Sequence, residues 1–479
     1  MSKYVKSVKA VSVYGRYDLE MEFESGINIV HGINGSGKTT LLHVLANILN
    51  GEYYRFIFLP FNSITVGLDG GATIVVSRRL QDNELHIFVE VDDETVLRLP
   101  VEQARDLLPI ERVAHRAVRR ERMSKLLQKP LSEQGVLFEQ LLRHVEGFEA
   151  PDMVVPPLPA AYFPAFRTMI DAWASVPEDE ERVRPRAWSS RATYFARRWF
   201  GQFIPSVNYP SLLEIEQRLT DEVQRARITI GRADRRFLSQ AFLEIFESLS
   251  EGTAEDVGRA DGILQEIKCL FDELEESPLQ EESTLVTSVY AELSESIHDL
   301  HVAEESERTA VRVLNVYREL LNKVVDVQQE SFREIQQYLE SVNEFLVGKE
   351  LVVDPSVPRY RAKAVGIQFG QGDRINRLRA LSSGERQIAT LIYAATHMSK
   401  QKVLLIDEPE ISLHVDWQRR LLGEMSEQVG ERQIIACTHS PSIGADYAEF
   451  QEEIELKPTS EELITPEESE SDETEELPF

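Results

Sequence analysis

Runs of apolar residues divide the first hundred positions into predicted strands and one helix. SVKAVSVYG and DLEMEFESG are predicted to be two short strands joined by a turn, and INIVHG is an apolar strand that runs into glycine. KTTLLHVLANILN then predicts a helix that Gly51 stops. An antiparallel accessory sheet is predicted next, because turn residues separate the segments SITVGL, ATIVVSRRL, ELHIFVEV and ETVLRL.

Helical periodicity dominates the middle of the chain. A helix-rich stretch runs to about residue 145, the Pro-rich segment 151–167 contains the predicted buried strand AAYF, and residues 168–348 are predicted to be almost wholly helical. Late in this region apolar residues recur at alternating spacings of three and four, with a break across Gln328, which is typical of coiled-coil-like packing. The seam comprises Leu314, Tyr317, Leu321, Val324, Phe332, Ile335, Leu339, Val342 and Leu346.

The partner of this seam is left open by the pattern. An earlier apolar set has similar spacing and is a candidate antiparallel partner, so the helical region is either the core of an ordinary bundle or a protruding arm. In both cases it is an insertion into another fold. The earlier set comprises Val286, Val289, Leu293, Ile297 and Leu300.

Beyond the insertion the pattern returns to short strands. ELVVD and AVGIQF are predicted strands, RALSSGERQIATLIYAATHM is predicted to be a loop that enters a helix, and KVLLIDEPE and QIIACTHSP are predicted buried strands with polar residues at their carboxyl ends. The chemistry of the chain is therefore expected at strand ends in two segments far apart in the sequence.

GINGSGKT, residues 32–39, fits the phosphate-loop pattern GxxxxGK[ST] and lies between an apolar strand and a helix. Its glycines let successive N–H groups and the helix N-terminus face phosphates. Lys38 supplies a charge to the β and γ oxygens, and Thr39 places its hydroxyl on Mg²⁺. Because every position of the pattern matches, we favour a phosphate loop over the alternative, a Gly-rich turn that only caps a helix.

Two adjacent acids, Asp407 and Glu408, end the strand of KVLLIDEPE. Adjacent carboxylates at a strand end are costly unless they are used. We expect Asp407 to hold Mg²⁺ through water and Glu408 to accept a proton from the attacking water. His439, in THSP after the next strand, is placed to sense the γ-phosphate.

LSSGERQ, residues 381–387, resembles the signature motif of ABC ATPases. In that family a Ser and a Gly at a helix N-terminus bind the γ-phosphate of a nucleotide held by the other subunit. Ser383 and Glu385 replace a glycine and a glutamine of the commoner LSGGQ. These departures, and the helical insertion between the two motifs, resemble the branch that contains SMC proteins, RecF and the OLD (overcoming lysogenization defect) ATPases.

DEPEISLHVDWQ, residues 407–418, followed by THSP is most similar to OLD-like antiphage-defence ATPases. OLD nucleases carry a TOPRIM domain after this region, whereas only the segment 442–479 follows here, so the chain is expected to lack that nuclease. The Q-loop position is open: Arg167 in PAFR is the candidate for a residue facing the γ-phosphate, the alternative being that it pairs with an acid on the insertion.

The resemblance implies composite ATP sites in a homodimer or higher symmetric assembly. It implies catalytic roles for Lys38, Glu408 and His439. Thr39 and Asp407 are the residues implied to bind Mg²⁺. The ATP contacts implied are Gly32, Asn34, Gly35, Ser36, Gly37, Lys38, Thr39 and Thr40 on one subunit, and Ser382, Ser383, Gly384, Glu385, Ser412 and His414 on its neighbour.

The fold class expected is an α/β P-loop NTPase of the ABC ATPase head type, with an antiparallel accessory sheet and a large all-helical insertion. We divide the chain into four parts. We expect residues 1–167 to form the N-terminal lobe of the head, 168–348 the insertion, 349–446 the C-terminal lobe and 447–479 an acidic, solvated and disordered tail. The alternatives for the tail are that it imitates nucleic acid in a basic groove or docks a partner.

The net charge of −29 over 479 residues argues against a nucleic-acid partner. Two stretches nevertheless are basic, 111–125 and 182–200, the second interleaved with aromatics, and these are candidate DNA contacts at Arg197 and Arg198. The alternative is that their arginines are solvated or paired with acids. Cys269 and Cys437 are expected to be reduced core residues.

No segment has the roughly 20 apolar residues that cross a bilayer, and the first residues do not resemble a signal peptide, so we expect a cytoplasmic protein without a membrane partner. The function expected is a sensor or regulatory ATPase of an antiphage system that controls a separate effector nuclease, as in PARIS and Septu. The alternative is a RecF- or SMC-like ATPase of DNA repair or chromosome maintenance. A transporter subunit is disfavoured by the insertion.

Overall fold

The computed structural model describes residues 4–102, 158–167, 169, 188–250, 260–275, 307–354, 364–370 and 374–465. The chain forms two compact units, residues 1–211 with 397–479, and residues 212–396. The basic stretch 111–125 and the apolar set 286–300 lie outside the described residues, as does the end of the acidic tail. No helix in the described ranges is both long and apolar enough to cross a membrane.

The first unit contains two sheets whose strands follow the predicted segments closely. Apolar runs such as VLLID and QIIACT are buried along their whole length, whereas strands of the accessory sheet alternate buried and exposed positions. The strands are β1 Val5–Val13, β2 Tyr17–Glu22, β3 Ile27–His31, β4 Ser63–Leu68, β5 Thr73–Gln81, β6 Glu84–Val91, β7 Glu94–Pro100, β8 Ala160–Phe163, and, after the second unit, β11 Val403–Asp407, β12 Gln433–Thr438, β13 Gln451–Glu453 and β14 Lys457–Pro458.

The central sheet has the order β13-β3-β12-β11-β8, and all of its pairs are parallel. Its order brings together strands that lie hundreds of positions apart, for example Val30 beside Cys437. The carboxyl ends of β3, β11 and β12 therefore meet at one edge. In open parallel sheets this edge is where ligands bind.

The accessory sheet has the order β14-β2-β1-β4-β5-β6-β7 and is antiparallel throughout. Its hairpins use residues that tolerate positive φ: Asp82 and Asn83 at +54° and +64° join β5 to β6, and Asp92 and Asp93 at +49° and +67° join β6 to β7. One apolar core connects this sheet with the phosphate-loop helix and the central sheet. The predicted antiparallel accessory sheet is confirmed, with β1 and β2 as members of it.

Among its described residues, the first unit has the α-helices α1 Lys38–Leu49, α2 Trp188–Phe200 and, later in the chain, α7 Val415–Val429. The α1 helix ends where predicted, since Gly51 has φ +71°. Side-chain bonds fasten α2 and the segment after it to this core: Arg197 donates to Glu52 at 2.7 Å, and Asn47 donates to the carbonyl of Phe203 at 2.8 Å.

The second unit is built on long helices. It contains α3 Leu212–Ser250, α4 Ala260–Glu275, α5 Glu307–Asn343, the hairpin of β9 Glu350–Val353 with β10 Val365–Gln368, and α6 Ser383–His397. The first part of the seam on α5, from Leu314 to Val324, packs against α4, whose apolar face includes Ile267 and Phe271. Arg318 bonds Glu266 at 2.7 Å, so a polar pair flanks this contact. The helix continues through Gln328, where the apolar spacing breaks, and that side chain is buried.

Several expectations differ from the structure. Residues 188–211 belong with the phosphate-loop core rather than with the helical insertion, and residues 349–396 belong with the long helices. The tail is not solvated from residue 447: β13 pairs with β3, β14 pairs with β2, and Ile454 is buried. Cys437 is buried as expected, but Cys269 is exposed on α4 rather than in a core.

Candidate functional site

The phosphate loop, residues 32–39, connects β3 to α1 through conformations that require glycine. Gly35 and Gly37 have φ +83° and +85°. A Cβ on Gly32 would lie 2.7 Å from Ser36 Oγ and 2.8 Å from Ile454 Cγ2, which is closer than real contacts allow. Side chains at these positions would therefore distort the loop, and the glycines keep its N–H groups free to turn toward an anion.

Lys38 joins this loop to the end of β12. Its ammonium is buried and donates to the carbonyls of Gly32 at 2.7 Å and Ile33 at 3.1 Å, and to His439 Nδ1 at 3.2 Å. A lysine ammonium can only donate, so Nδ1 is the acceptor. The proton of the neutral ring then sits on Nε2, which lies 3.1 Å from Glu408 Oε1. A single path of polar contacts thus connects Lys38, His439 and Glu408.

Asp407 is the last residue of β11 and lies under α1. Thr39 Oγ1 donates to its two carboxylate oxygens at 3.2 and 3.0 Å. The side chain is almost fully buried, and this burial raises the pKa of Asp407, although Thr39 and Arg167 oppose the shift. A buried carboxylate beside a hydroxyl is an arrangement that a divalent cation stabilises.

Arg167 holds the backbone of the two acids. Its guanidinium is 2% exposed and donates to the carbonyl of Asp407 at 2.8 Å and to that of Glu408 at 2.9 Å. Glu408 has φ +48°, a left-handed conformation that is costly for glutamate, and its N–H donates to the carbonyl of Cys437 at 2.8 Å. Arg167 thus holds the backbone of the acid pair, and its expected approach to the γ-phosphate stays a prediction.

Glu408 has an unusual proton affinity. Burial, a hydrogen bond with Glu410 and the charges of Glu410 and Asp407 raise its pKa to about 8, against the opposing effect of Lys38. A carboxylate with a pKa close to neutrality is suited to take up and release a proton in catalysis.

Glu410 positions the loop that carries His439, a role that sequence reasoning missed. Its Oε1 accepts hydrogen bonds from Thr438 Oγ1 at 2.7 Å and from the backbone N–H groups of His439 and Ser440, both at 2.9 Å. One carboxylate oxygen thereby fixes three consecutive residues. The third acid of DEPE was the available signal, but its partners lie about thirty positions downstream and could not be read from the segment itself.

A cavity of about 230 Å³ opens beside the phosphate loop. Its lining includes residues 35–40 together with Tyr14, Tyr17 and Leu456. The two tyrosines, 52% and 36% exposed, were also missed. Their rings offer an apolar surface of the kind that a nucleoside base packs on.

The residues present fit a magnesium nucleotide. Ser36 Oγ is buried without a hydrogen-bond partner at the base of the loop, as expected where a phosphate oxygen completes the set. In the described ranges no group of three or more His, Cys, Asp or Glu side chains is placed to hold a metal. Thr39 and Asp407, whose oxygens lie 3.0 and 3.2 Å apart, would be the protein ligands of a cation that also takes waters and phosphate oxygens, which is the usual mode of Mg²⁺.

The signature segment, in the second unit, caps its own helix through hydrogen bonds between its residues. Ser382 N–H donates to Glu385 Oε2 at 2.6 Å, and Glu385 N–H donates to Ser382 Oγ at 3.4 Å, which is the reciprocal capping box. Lys349 bonds the same carboxylate at 2.9 Å. Burial alone would raise the pKa of Glu385, but the bonds from Lys349 and Ser382 lower it. Ser382 and Ser383 are exposed, and Gly384 is buried.

The segment after the acid pair presents two further candidate residues, Ser412 and His414, on the surface of the first unit. Ser412 has φ +65°, and His414 caps α7 by accepting the Asp416 N–H at 3.4 Å. Beside them Val415 is 48% exposed, and Ile33 at the tip of the phosphate loop is 79% exposed. Because Ile33 and Val415 are exposed, the surface formed by the phosphate loop and by the segment after the acid pair is partly apolar.

The two arginines expected to contact DNA on α2 differ in their surroundings. Arg197 donates to Glu52 at 2.7 Å and to the carbonyl of Ile204 at 2.9 Å, so it fastens α2 to its own unit. Arg198 is exposed and bonds Tyr194 Oη at 3.3 Å. Trp199 is 64% exposed, and Phe200 stacks on Phe166 with ring centroids 4.0 Å apart. The pairing alternative therefore holds for Arg197.

Comparison with known protein families gives two matches. The model described as "AAA domain, putative AbiEii toxin, Type IV TA system" matches residues 200–446, and the model described as "AAA domain" matches residues 7–87. The first covers more than half of the chain. No curated protein sequence matches significantly.

Three solved structures align with the chain over nearly its full length at low identity. They are the Smc head domain with an extended coiled coil, bound to the C-terminal domain of ScpA, from Pyrococcus furiosus (12% identity, 95% of this chain and 96% of that chain, TM-score 0.38); the Smc head domain with a coiled coil and joint from Pyrococcus yayanosii (14%, 95% and 97%, 0.34); and the SmcHead bound to the C-winged helix domain of ScpA (10%, 95% and 98%, 0.38). At these TM-scores the assignment of the fold depends on the strand order and the phosphate loop described above.

Proposed function

The chain belongs to the family described as "AAA domain, putative AbiEii toxin, Type IV TA system", and from this premise we propose that it is a Mg²⁺-dependent ATPase whose copies pair around ATP. One observation carries the proposal. Residues from three separate segments, Lys38 and Thr39, Asp407 and Glu408, and His439, converge at one sheet edge with contacts of 2.7 to 3.2 Å among them and the loop carbonyls.

Each of these residues has a distinct task in the proposed reaction. Lys38 and the N–H groups of the phosphate loop bind the phosphates, while Thr39 and Asp407 hold Mg²⁺. Bound Mg·ATP supplies the phosphoanhydride that is hydrolysed and a cation that neutralises charge on it. Glu408 accepts the proton of the attacking water, and His439 donates through Nε2 to Glu408 and orients it.

Pairing of copies is supported by surfaces of both units. The N-terminus of α6 presents Ser382 and Ser383 with the positive end of the helix dipole, a preformed site for an anion. In the first unit, Ile33 and Val415 expose apolar side chains beside the phosphate loop and after the acid pair. We propose that ATP bound to the loop of one copy contacts the signature serines of another, with Ser412 and His414 at the same boundary.

The test is Glu408→Gln, which keeps the shape of the side chain and removes the base. We expect ATP binding to persist, turnover to fall by roughly a thousandfold, and a dimer to accumulate with ATP in light-scattering measurements of mass. Glu427→Gln changes an exposed acid on α7 and is the matched control. Normal hydrolysis by Glu408→Gln would show that the base is misassigned, and a monomer in every nucleotide state would exclude pairing.

The biological role that we propose is a sensor ATPase of an antiphage-defence system acting on a separate effector nuclease. Two features support it: the DEPE…LH segment resembles OLD-like ATPases, and the family description names a toxin of a TA system. A RecF- or SMC-like role in DNA maintenance is the alternative. Two experiments distinguish them. A nuclease encoded alongside that co-purifies with the Glu408→Gln chain from its native host supports defence, whereas stimulation of the unmodified chain's ATPase activity by bare DNA ends or gaps supports maintenance.

DNA contact through α2 is a separable part of this proposal. Since Arg197 is paired within its own unit, Arg198 and Trp199, which are both exposed, are our candidates on α2 for contact with a polyanion and a base. Arg198→Glu is expected to weaken DNA binding and reduce its salt dependence, with Arg419→Glu on α7 as the exposed control. Unchanged binding by Arg198→Glu would remove α2 as the contact.

A further inference from the structure

The segment 451–464, here called the strap, runs along the edge of both sheets of the first unit. Its first part extends the central sheet, and Ile454 N–H continues the ladder by donating to the carbonyl of His31 at 2.9 Å. Its second part extends the accessory sheet through β14, followed by a bond from Thr459 N–H to the carbonyl of Arg16 at 2.9 Å. The strap therefore connects the start of the phosphate loop with the turn between β1 and β2.

The far end of the strap is fastened by side chains. Asn62 Nδ2 donates to the carbonyl of Glu462 at 2.9 Å, and Asn62 Oδ1 accepts the N–H of Ile464 at 3.0 Å. Ile464 packs against the main apolar core. Both ends are thus held independently of the residues between them.

Leu456, in the middle of the strap, faces the cavity beside the phosphate loop. It lines that cavity together with Tyr14 and Tyr17, and its Cδ2 lies 3.2 Å from the position of a Cβ on Gly37. The neighbouring side chains alternate as in a half-buried strand: Ile454 is buried, Glu455 is exposed, Leu456 is partly buried and Lys457 is exposed. The strap is rich in acidic residues, but at Leu456 it therefore presents an apolar side chain to the cavity.

We propose that the strap forms a wall of the nucleoside end of the ATP site through Leu456, so that ATP binding and the seating of the strap stabilise each other. This inference rests on the proposed ATPase function. The chemistry of the surface selects the part of the ligand: an aliphatic side chain and two phenol rings suit a flat base, whereas the exposed glutamates of the strap disfavour phosphates. Coupling is reciprocal by linkage, since a ligand that contacts the seated strap must also favour seating.

Calorimetric titration with ATP and with tripolyphosphate tests the wall. Leu456→Ala is expected to weaken ATP binding about five- to tenfold, the effect of losing one aliphatic contact, and to leave tripolyphosphate binding unchanged. Glu462→Ala changes an exposed side chain of the same strap that does not line the cavity, and this control is expected to bind both ligands as the unmodified chain does. Equal ATP binding by Leu456→Ala, or a parallel loss of tripolyphosphate binding, would overturn the proposal.

Failure of the proposed function would look different, because the unmodified chain would then not bind ATP at all. Hydrogen exchange on the unmodified chain supplies a readout that needs no variant. ATP is expected to slow exchange of the Ile454 and Thr459 amides, and tripolyphosphate is not. If Leu456→Ala does not fold, this exchange experiment decides alone, and amides that exchange equally with and without ATP would overturn the strap's role.

Discussion

The phosphate-loop end of the candidate site and the signature segment use similar residue types in different ways. At the loop, Lys38, Thr39 and His439 contact groups about 370 to 400 positions away in the sequence. In the signature, Ser382 and Glu385 bond each other within one helical turn. The loop site is completed by distant parts of its own chain, whereas the signature is a finished helix cap with two serines facing outward.

This difference indicates what each end can do alone. A site built from three converging segments can hold a ligand within one copy. A capped helix N-terminus with exposed serines offers a few N–H groups and a partial positive charge, which bind an anion well only when something else holds it in place. We therefore expect variants at the loop to change ATP affinity of a single copy, and variants at the signature to change events that need two copies.

Lys38→Ala should have the largest effect. It removes a buried ammonium that is aimed at the phosphates, and losing such charge-assisted bonds costs about 3 kcal/mol or more, over a hundredfold in Kd. Titration with ATP measures it. An ATP affinity within a factor of three of the unmodified chain would contradict the phosphate-binding role of Lys38.

Ser383→Arg tests the other side of the comparison. The side chain is exposed at the N-terminus of α6, so the fold should tolerate it. We expect single-copy ATP affinity to stay unchanged while turnover and ATP-dependent dimer mass fall, turnover by about a hundredfold, a typical loss when a transition-state contact is removed. Loss of ATP affinity in the monomer, instead, would place the signature within the same-copy site.

Arg167→Gln examines how the acid pair is held. The amide cannot reproduce the fork that bonds two successive carbonyls, so Glu408 should lose its fixed position, and kcat should fall roughly tenfold to a hundredfold with little change in ATP affinity. Arg432→Gln is the control, because Arg432 is also buried and donates to the carbonyls of Val429 and Met398, away from the site. Equal kcat losses in both variants would mean that Arg167 acts only through stability.

Glu385→Ala should have the smallest effect and a purely local one. It removes the carboxylate that caps α6 and pairs with Lys349, which lowers the free energy of unfolding by about 1 kcal/mol. Glu385→Gln retains an acceptor for the Ser382 N–H and should lose less. Chemical denaturation of both variants gives the comparison, and a larger loss in Glu385→Gln than in Glu385→Ala would contradict the capping role.

Sequence reasoning was most successful where the determinants are local. The strands β3 to β8, β11 and β12 and the helix α1 follow from apolar runs and turn residues that lie within each segment. The convergence of Asp407 and Glu408 with the phosphate loop follows from one further rule, that parallel strands align their carboxyl ends. The roles of the individual site residues stay predictions until the variants are measured.

Non-local pairing explains what the sequence did not provide. Arg197 is indistinguishable from Arg198 by composition, and only the position of Glu52, 145 residues earlier, separates a structural arginine from an exposed one. In the strap, the many acidic residues favoured the prediction of a solvated tail over that of a strand. The alternation of Ile454 and Leu456 becomes part of a sheet only because β3 and β2 offer edges for pairing. Arg167 was noticed, but its partners are backbone carbonyls, which carry no sequence signal.

The order of the central sheet also has a consequence for folding during translation. The neighbours of β3 are β12 and β13, so the strand that leads into the phosphate loop has no partner until residues 433–453 have been made. Asn28 and Ile434 bond across 406 positions, and at about 5–20 residues per second their synthesis is separated by about 20–80 s. During that interval INIVH is an unpaired apolar strand. We therefore expect that the nascent chain does not bind nucleotide at this loop before residues 433–453 have been made, and that the accessory sheet or a chaperone covers the strand during that time.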